Sequence, residues 1–120
     1  MQGGQRFERR NMHNVLLKED LCHFLETHGN SRVKRELLLF WGKHPNTNFT
    51  KFALCYAVDC SGLQAEDALA VQMEAGLVEM STNEHGLTLY SLTSNEDLRQ
   101  RVIQIAEIDY SQLNGMLRLY

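Results

Sequence analysis

Apolar residues recur along this chain at steps of three and four in five stretches and take extended patterning in two short ones, which predicts a mostly helical protein with one small β-hairpin. Leu17, Leu21, Phe24 and Leu25 share one face of a first helix over 14–28, with Gly29 placed to take a left-handed cap. Ser31 is positioned as the N-cap of a second helix, in which Val33, Leu37, Phe40 and Trp41 point inward until Gly42 and Pro45 stop it. Thr50 caps a short third helix through Val58, with Phe52, Ala53 and Tyr56 or Ala57 turned to the core. After the turn Asp59-Cys60-Ser61-Gly62, a fourth helix from Leu63 to Ala75 ends at Gly76. The segments Leu77 to Met80 and Leu87 to Leu92 are expected as strands, joined by the polar loop Ser81 to Gly86.

The last element opens on Ser94, expected to cap it while Asp97 reaches back. Downstream, Ile103, Ala106, Tyr110, Leu113, Leu117 and Tyr120 form one apolar row, and Leu98, Val102 and Ile105 form a second beside it. Two rows need two surfaces. One is expected to pack on the chain's own core and the other on the same helix of a second copy, giving a homodimer; burial of both rows in one subunit, or an early break at Gly115, is the alternative. The expected division is a mobile arm (1–13), a domain with an N-terminal helix (14–93) and a dimerisation helix (94–120).

With 120 residues, 43% of them hydrophobic, the chain is the size of one globular domain. It holds no run of about 18 apolar residues, and Met1 to Arg10 lack the apolar centre of a secretory signal, so a cytoplasmic location without membrane contact is expected. The cysteines, Cys22, Cys55 and Cys60, form no CxxC pair and predict reduced thiols. Bridging of Cys55 to Cys60, five apart across a turn, needs a backbone geometry that the sequence does not supply.

The net charge of −3 conceals an asymmetry. Nine bases stand against five acids up to Lys51, whereas from Phe52 to Leu98 there are eight acids and neither Lys nor Arg. The acidic stretch contains the fourth helix and the hairpin, which makes it the central question about partners.

The order helix, helix, turn, helix, hairpin, with Glu74-Ala75-Gly76-Leu77-Val78 and the returning Tyr90-Ser91-Leu92-Thr93, resembles the winged helix-turn-helix superfamily over about Val33 to Thr93, and looks like its MarR, PadR and ArsR branches. The resemblance implies a winged helix-turn-helix fold with flanking N- and C-terminal helices. In it Gly76 ends the recognition helix, Leu77-Val78 starts the first wing strand, and Tyr90 and Leu92 return the second strand over the core. Gln72 departs from the pattern, standing where a buried leucine is usual; a slight rotation of the helix, or filling by Met73, would accommodate it. The implied function is a homodimeric, DNA-binding transcriptional regulator.

In that geometry the fourth helix enters the major groove and the wing straddles phosphates, which brings Gln64, Glu66, Asp67 and Ala70 to base edges. Yet a surface of Gln64, Glu66, Asp67, Glu74, Glu79 and Glu84, with only His85 to add positive charge, lacks the cations that bind phosphate. A carboxylate can accept from cytosine and Gln64 can pair with adenine, each contact giving only about 1–3 kcal/mol of discrimination. The favourable charges lie elsewhere: Arg32, Lys34, Arg35, Lys43 with His44, and Lys51, plus Arg6, Arg9 and Arg10 on the arm. Duplex DNA, contacted through Arg32, Lys34, Arg35, Lys43, Lys51, Gln64, Glu66, Asp67 and His85, is one expected partner. The alternative is a basic protein docked on an acidic face that mimics nucleic acid, and the plainest reading of these charges is solvated surface.

No GxSxG, HExxH or phosphate-cradling glycine loop is present, so no enzyme activity and no cofactor are expected. Cys22 and His28 are mismatched on a helix, and Cys22 with Glu26 has the better spacing; a buried cysteine among surface histidines is the plainer reading, and no metal site is expected.

Overall fold

The computed structural model describes residues 19–108 of the chain. Helix α1 occupies 19–28, followed by α2 (Arg32–Lys43), α3 (Lys51–Val58), α4 (Gly62–Glu74), the antiparallel strands β1 (Val78–Thr82) and β2 (Thr88–Leu92), and α5 (Glu96–Glu107). The expected arm, the start of the first helix, and the row members Tyr110, Leu113, Leu117 and Tyr120 lie outside the described residues.

Side-chain caps set the helix starts. Ser31 accepts from the Lys34 N–H and Thr50 from the Ala53 N–H. Ser61 accepts from the Gln64 N–H, and the Gln64 side chain accepts in return from the Ser61 N–H at 3.0 Å, a complete capping box. Two helix ends close alike. After α4 the Leu77 N–H reaches back to the Gln72 carbonyl at 2.9 Å, with Gly76 left-handed at φ 78°; after α3 the Cys60 N–H reaches the Cys55 carbonyl at 3.1 Å, and the left-handed residue is Asp59 at φ 51°. Only glycine adopts that region freely, so Asp59 carries strain of about 1–2 kcal/mol.

The core is built on α2, whose Leu37, Leu38 and Trp41 are buried against Leu25, Leu54, Leu69, Leu77, Val102 and Ile105. Gly42 permits the close crossing of α2 and α5: a Cβ there would stand 2.5 Å from both the Ala106 Cβ and the Val102 carbonyl oxygen. The hairpin pairs Val78 with Leu92 and Met80 with Tyr90, and a further rung joins it to the loop before α3, where Phe49 and Tyr90 exchange two N–H···O bonds of 2.8 Å. Phe40, Trp41, His44 and Phe49 cluster under that rung.

Four expectations are corrected. Gly29 has no positive φ; glycine fits there because an added Cβ would stand 2.9 Å from the Leu25 carbonyl. On α3 the inward positions are Leu54 and Val58, while Phe52 and Tyr56 are 81% and 87% exposed and Ala57 is also outward. Asn95, not Ser94, caps α5 by accepting from the Leu98 N–H, because Ser94 is drawn to Glu79. Gln72 marks no slip of register: it is 1% exposed and hydrogen-bonded in the core.

Candidate nucleic-acid interface

Helix α3, the Asp59–Ser61 turn and α4 form a helix-turn-helix whose outer side bears Phe52, Tyr56, Leu63, Gln64, Glu66, Asp67, Ala70 and Glu74. All eight are exposed, and the hairpin projects beside them as a wing. The wing loop is shaped by Asn83, whose Oδ1 accepts from the His85 and Leu87 N–H groups, both at 2.9 Å, while Gly86 turns left-handed at φ 80°. His85 and Glu84 extend from this loop into solvent, 3.8 Å apart.

The cations expected at a nucleic-acid interface are differently employed. Arg32 pairs with Glu36 and also donates to the carbonyls of Val58 at 3.0 Å and Asp59 at 2.8 Å, so its guanidinium clamps the strained end of α3. Lys51 pairs across the motif with Glu66, tying the start of α3 to α4. Hydrogen bonding to Glu66 holds the Lys51 ammonium above its ordinary range. Lys34 reaches Asn30 Oδ1 at 2.9 Å, and Arg35 has its Nε buried without a hydrogen-bond partner among the described residues. Lys43 is exposed at the end of α2.

The acids are partly spent as well. Glu66 is neutralised by Lys51, and Gln64 is held in its capping box. Glu79 turns away to accept from the Ser94 N–H at 2.8 Å, the Ser94 hydroxyl at 2.9 Å and the Thr93 hydroxyl at 3.3 Å. Those bonds, chiefly from Ser94, hold its carboxyl below the usual range. Asp67 and Glu74 remain on α4 and Glu84 on the wing; Phe52 and Tyr56, which the sequence pattern turned to the core, are exposed, as is Leu63. The available signal was an excess of apolar residues on α3 over what one face of eight residues can bury.

Of the row expected to meet a second copy, Ile103 and Ala106 are half-buried; Ile103 packs on the core, and Ala106 faces Gly42 of the same chain. Among the described residues no group of three or more His, Cys, Asp or Glu is placed to hold a metal ion, and no helix is long and apolar enough to cross a membrane.

No family model and no curated protein matches this chain by sequence. Solved structures match it by shape. A point variant of Staphylococcus aureus MepR bound to an oligodeoxyribonucleotide aligns with a TM-score of 0.57 at 13% identity, over 95% of this chain and 91% of that one. The adhesin competence repressor AdcR of Streptococcus pyogenes gives 0.53 at 12%, over 97% and 83%. A doubly substituted variant of ZitR from Lactococcus lactis gives 0.53 at 18%, over 69% of this chain and 55% of that one. The helix-turn-helix, the hairpin and the flanking helices together place the chain in the winged helix-turn-helix fold.

Proposed function

We propose that this protein regulates transcription by setting α4 and the β1–β2 wing against duplex DNA. The observation that carries the reading is the frame itself: α4 is held on a buried scaffold with its outer face uncovered among the described residues, in the fold that MepR has when bound to an oligodeoxyribonucleotide. With Arg32 and Lys51 engaged, the remaining candidates for phosphate contact near the motif are Lys34, Arg35 and Lys43. At about 0.9 per phosphate contact, these three contribute up to about 3 per subunit to the slope of log affinity against log salt. In this reading the protein is a cytoplasmic, non-enzymatic homodimer, its second copy seated on the members of the apolar row that follow α5 in sequence, Tyr110, Leu113, Leu117 and Tyr120, since Ile103 and Ala106 are used within the chain.

The test is binding to random-sequence duplex at about 50 and about 200 mM salt, wild type beside Lys34→Ala/Lys43→Ala. These positions are informative because neither side chain holds two elements together. Binding that weakens with salt, with a slope smaller in the double variant by about 2 per subunit, supports the reading. No binding at the lower salt overturns it.

A second reading is favoured by one observation, the exposed Phe52, Tyr56 and Leu63 beside Asp59 and Asp67. An apolar patch edged with acid suits a basic, amphipathic protein segment better than a phosphate backbone. Under this reading a cationic amphipathic peptide binds the wild type, and Phe52→Ser/Tyr56→Ser abolishes binding; an unchanged affinity in that variant rules it out.

A further inference from the structure

The turn between α3 and α4 holds two cysteines in an arrangement that the pattern of charges and apolar residues does not explain. Cys55 and Cys60 stand at the two ends of the closure that terminates α3, joined by the 3.1 Å bond from the Cys60 N–H to the Cys55 carbonyl. This kind of closure brings its end residues into side-chain contact, a contact usually made by two apolar groups. Here both end positions carry a thiol. Both are half-buried and line one open hollow of about 420 Å³ with Phe52, Tyr56 and Asp59, so a small reagent reaches them from solvent. The third thiol, Cys22, is buried in α1.

We propose that Cys55 and Cys60 form a reversible dithiol–disulfide site within the helix-turn-helix, oxidised by low-molecular-weight disulfides of the glutathione class. The Cys55 thiol gives its proton to solvent, and the thiolate attacks one sulfur of the small disulfide. An S–S bond forms to Cys55 while the S–S bond of the reagent breaks, and one small thiolate leaves. Cys60, deprotonated in turn, attacks the Cys55 sulfur; the Cys55–Cys60 bond forms and the second small thiolate leaves. The two protein thiols lose two electrons and two protons, and the small disulfide is reduced to two thiols.

Burial pushes the Cys60 thiol up, an effect that its neighbour Cys55 reinforces, which suits Cys60 to the second, intramolecular step. The closure brings the two backbone segments together, the approach on which a bridge between them depends. The consequence falls on α4. The reduced Cys55 thiol donates to the carbonyl of Ser61 at 3.7 Å, and Ser61 is the N-cap of α4. Oxidation removes that donor and ties Cys55 to the opposite side of the turn, which changes the first turn of α4 whichever macromolecule α4 meets.

The experiment equilibrates the full chain in graded mixtures of reduced and oxidised glutathione, quenches in acid, alkylates in denaturant, and reads intact mass with amide exchange over residues 61–66. The expected result is joint loss of two alkylation sites with no retained glutathione, a single midpoint, reversal by dithiothreitol, and exchange over 61–66 that differs severalfold between the two forms. Cys55→Ser and Cys60→Ser should each retain a glutathione adduct on the remaining thiol, since the partner that would expel it is gone. Retained adducts on the wild type, bridging through Cys22, or disulfide-linked dimers in place of the internal bond would overturn the site. An internal bond that leaves exchange over 61–66 unchanged would overturn its action on α4.

Discussion

The indole N–H of Trp41 donates to Oε1 of Gln72 at 3.3 Å inside the core, while Nε2 of Gln72 donates to the Lys34 carbonyl at 3.2 Å. One side-chain amide thus joins the central helix α2 to α4 through two directional bonds. Apolar packing tolerates small rotations of a helix, whereas a buried hydrogen bond has a preferred geometry and a cost when unmade. The rotational setting of α4, and so which residues it presents outward, depends on this contact.

Gln72→Leu should therefore destabilise the protein by about 1–2 kcal/mol although it adds apolar volume, because the buried indole N–H loses its acceptor. In a double-mutant cycle by urea unfolding, Trp41→Phe/Gln72→Leu should cost less than the two single changes combined, with a coupling of about 1 kcal/mol. Strict additivity would show that the bond contributes nothing.

Arg32→Ala should lower stability by about 1 kcal/mol, a figure discounted because the guanidinium is half exposed. The loss arises at the α3 terminus, where the carbonyls of Val58 and Asp59 lose their donor. Asp59→Gly, which relieves the left-handed strain, should restore about the same amount. Thermal melting of the two single variants and the double variant checks both statements.

Acid should weaken the junction between the wing and α5. The Glu79 carboxyl titrates lower in the folded than in the unfolded chain, so its contribution is fully present above the ordinary carboxylate pKa of about 4.3 and fades as pH falls through the depressed value. Glu79→Gln should cost about 0.5–1 kcal/mol near neutrality, after allowance for solvent screening, and almost nothing at the acid end. Unfolding followed across pH 3 to 7 should show the two curves converging on the acid side; parallel curves would contradict the assignment.

Gly42→Ala should be among the most damaging single-methyl additions in the chain, destabilising by about 2 kcal/mol or more, since the new carbon meets the Ala106 Cβ and the Val102 carbonyl at 2.5 Å. Ala106→Gly in the same chain should recover only part of the loss, because the carbonyl stays in place. Chemical unfolding of the three variants tests this.

The elements that chain-local chemistry controls were legible: Ser31 and Thr50 as caps, Gly76 as the stop of α4, and the hairpin after it. What escaped was set by residues far off in sequence. Ser94 and Asn95 are both good caps, and the choice between them is made by Glu79, fifteen positions upstream of Ser94. Helix α3 is apolar around much of its circumference, so periodicity gave no phase, and burial of Leu54 and Val58 rather than Phe52 and Tyr56 follows from where α2 and α4 lie. The same holds for the site. Counting charges along the chain put Glu79 on the reading surface and offered Arg32 and Lys51 for phosphate contact, and each of the three is bonded to a partner at least fifteen residues away.

The crossing at Gly42 also constrains how this lineage can vary. Most crowded pairs in a core drift together, one side chain shrinking as its neighbour grows. Position 42 has no such outlet, since half of its crowding comes from a backbone carbonyl that no substitution removes. Homologues that keep this helix crossing should hold glycine at the equivalent position through wide divergence elsewhere, and one that has lost it should have moved its last helix.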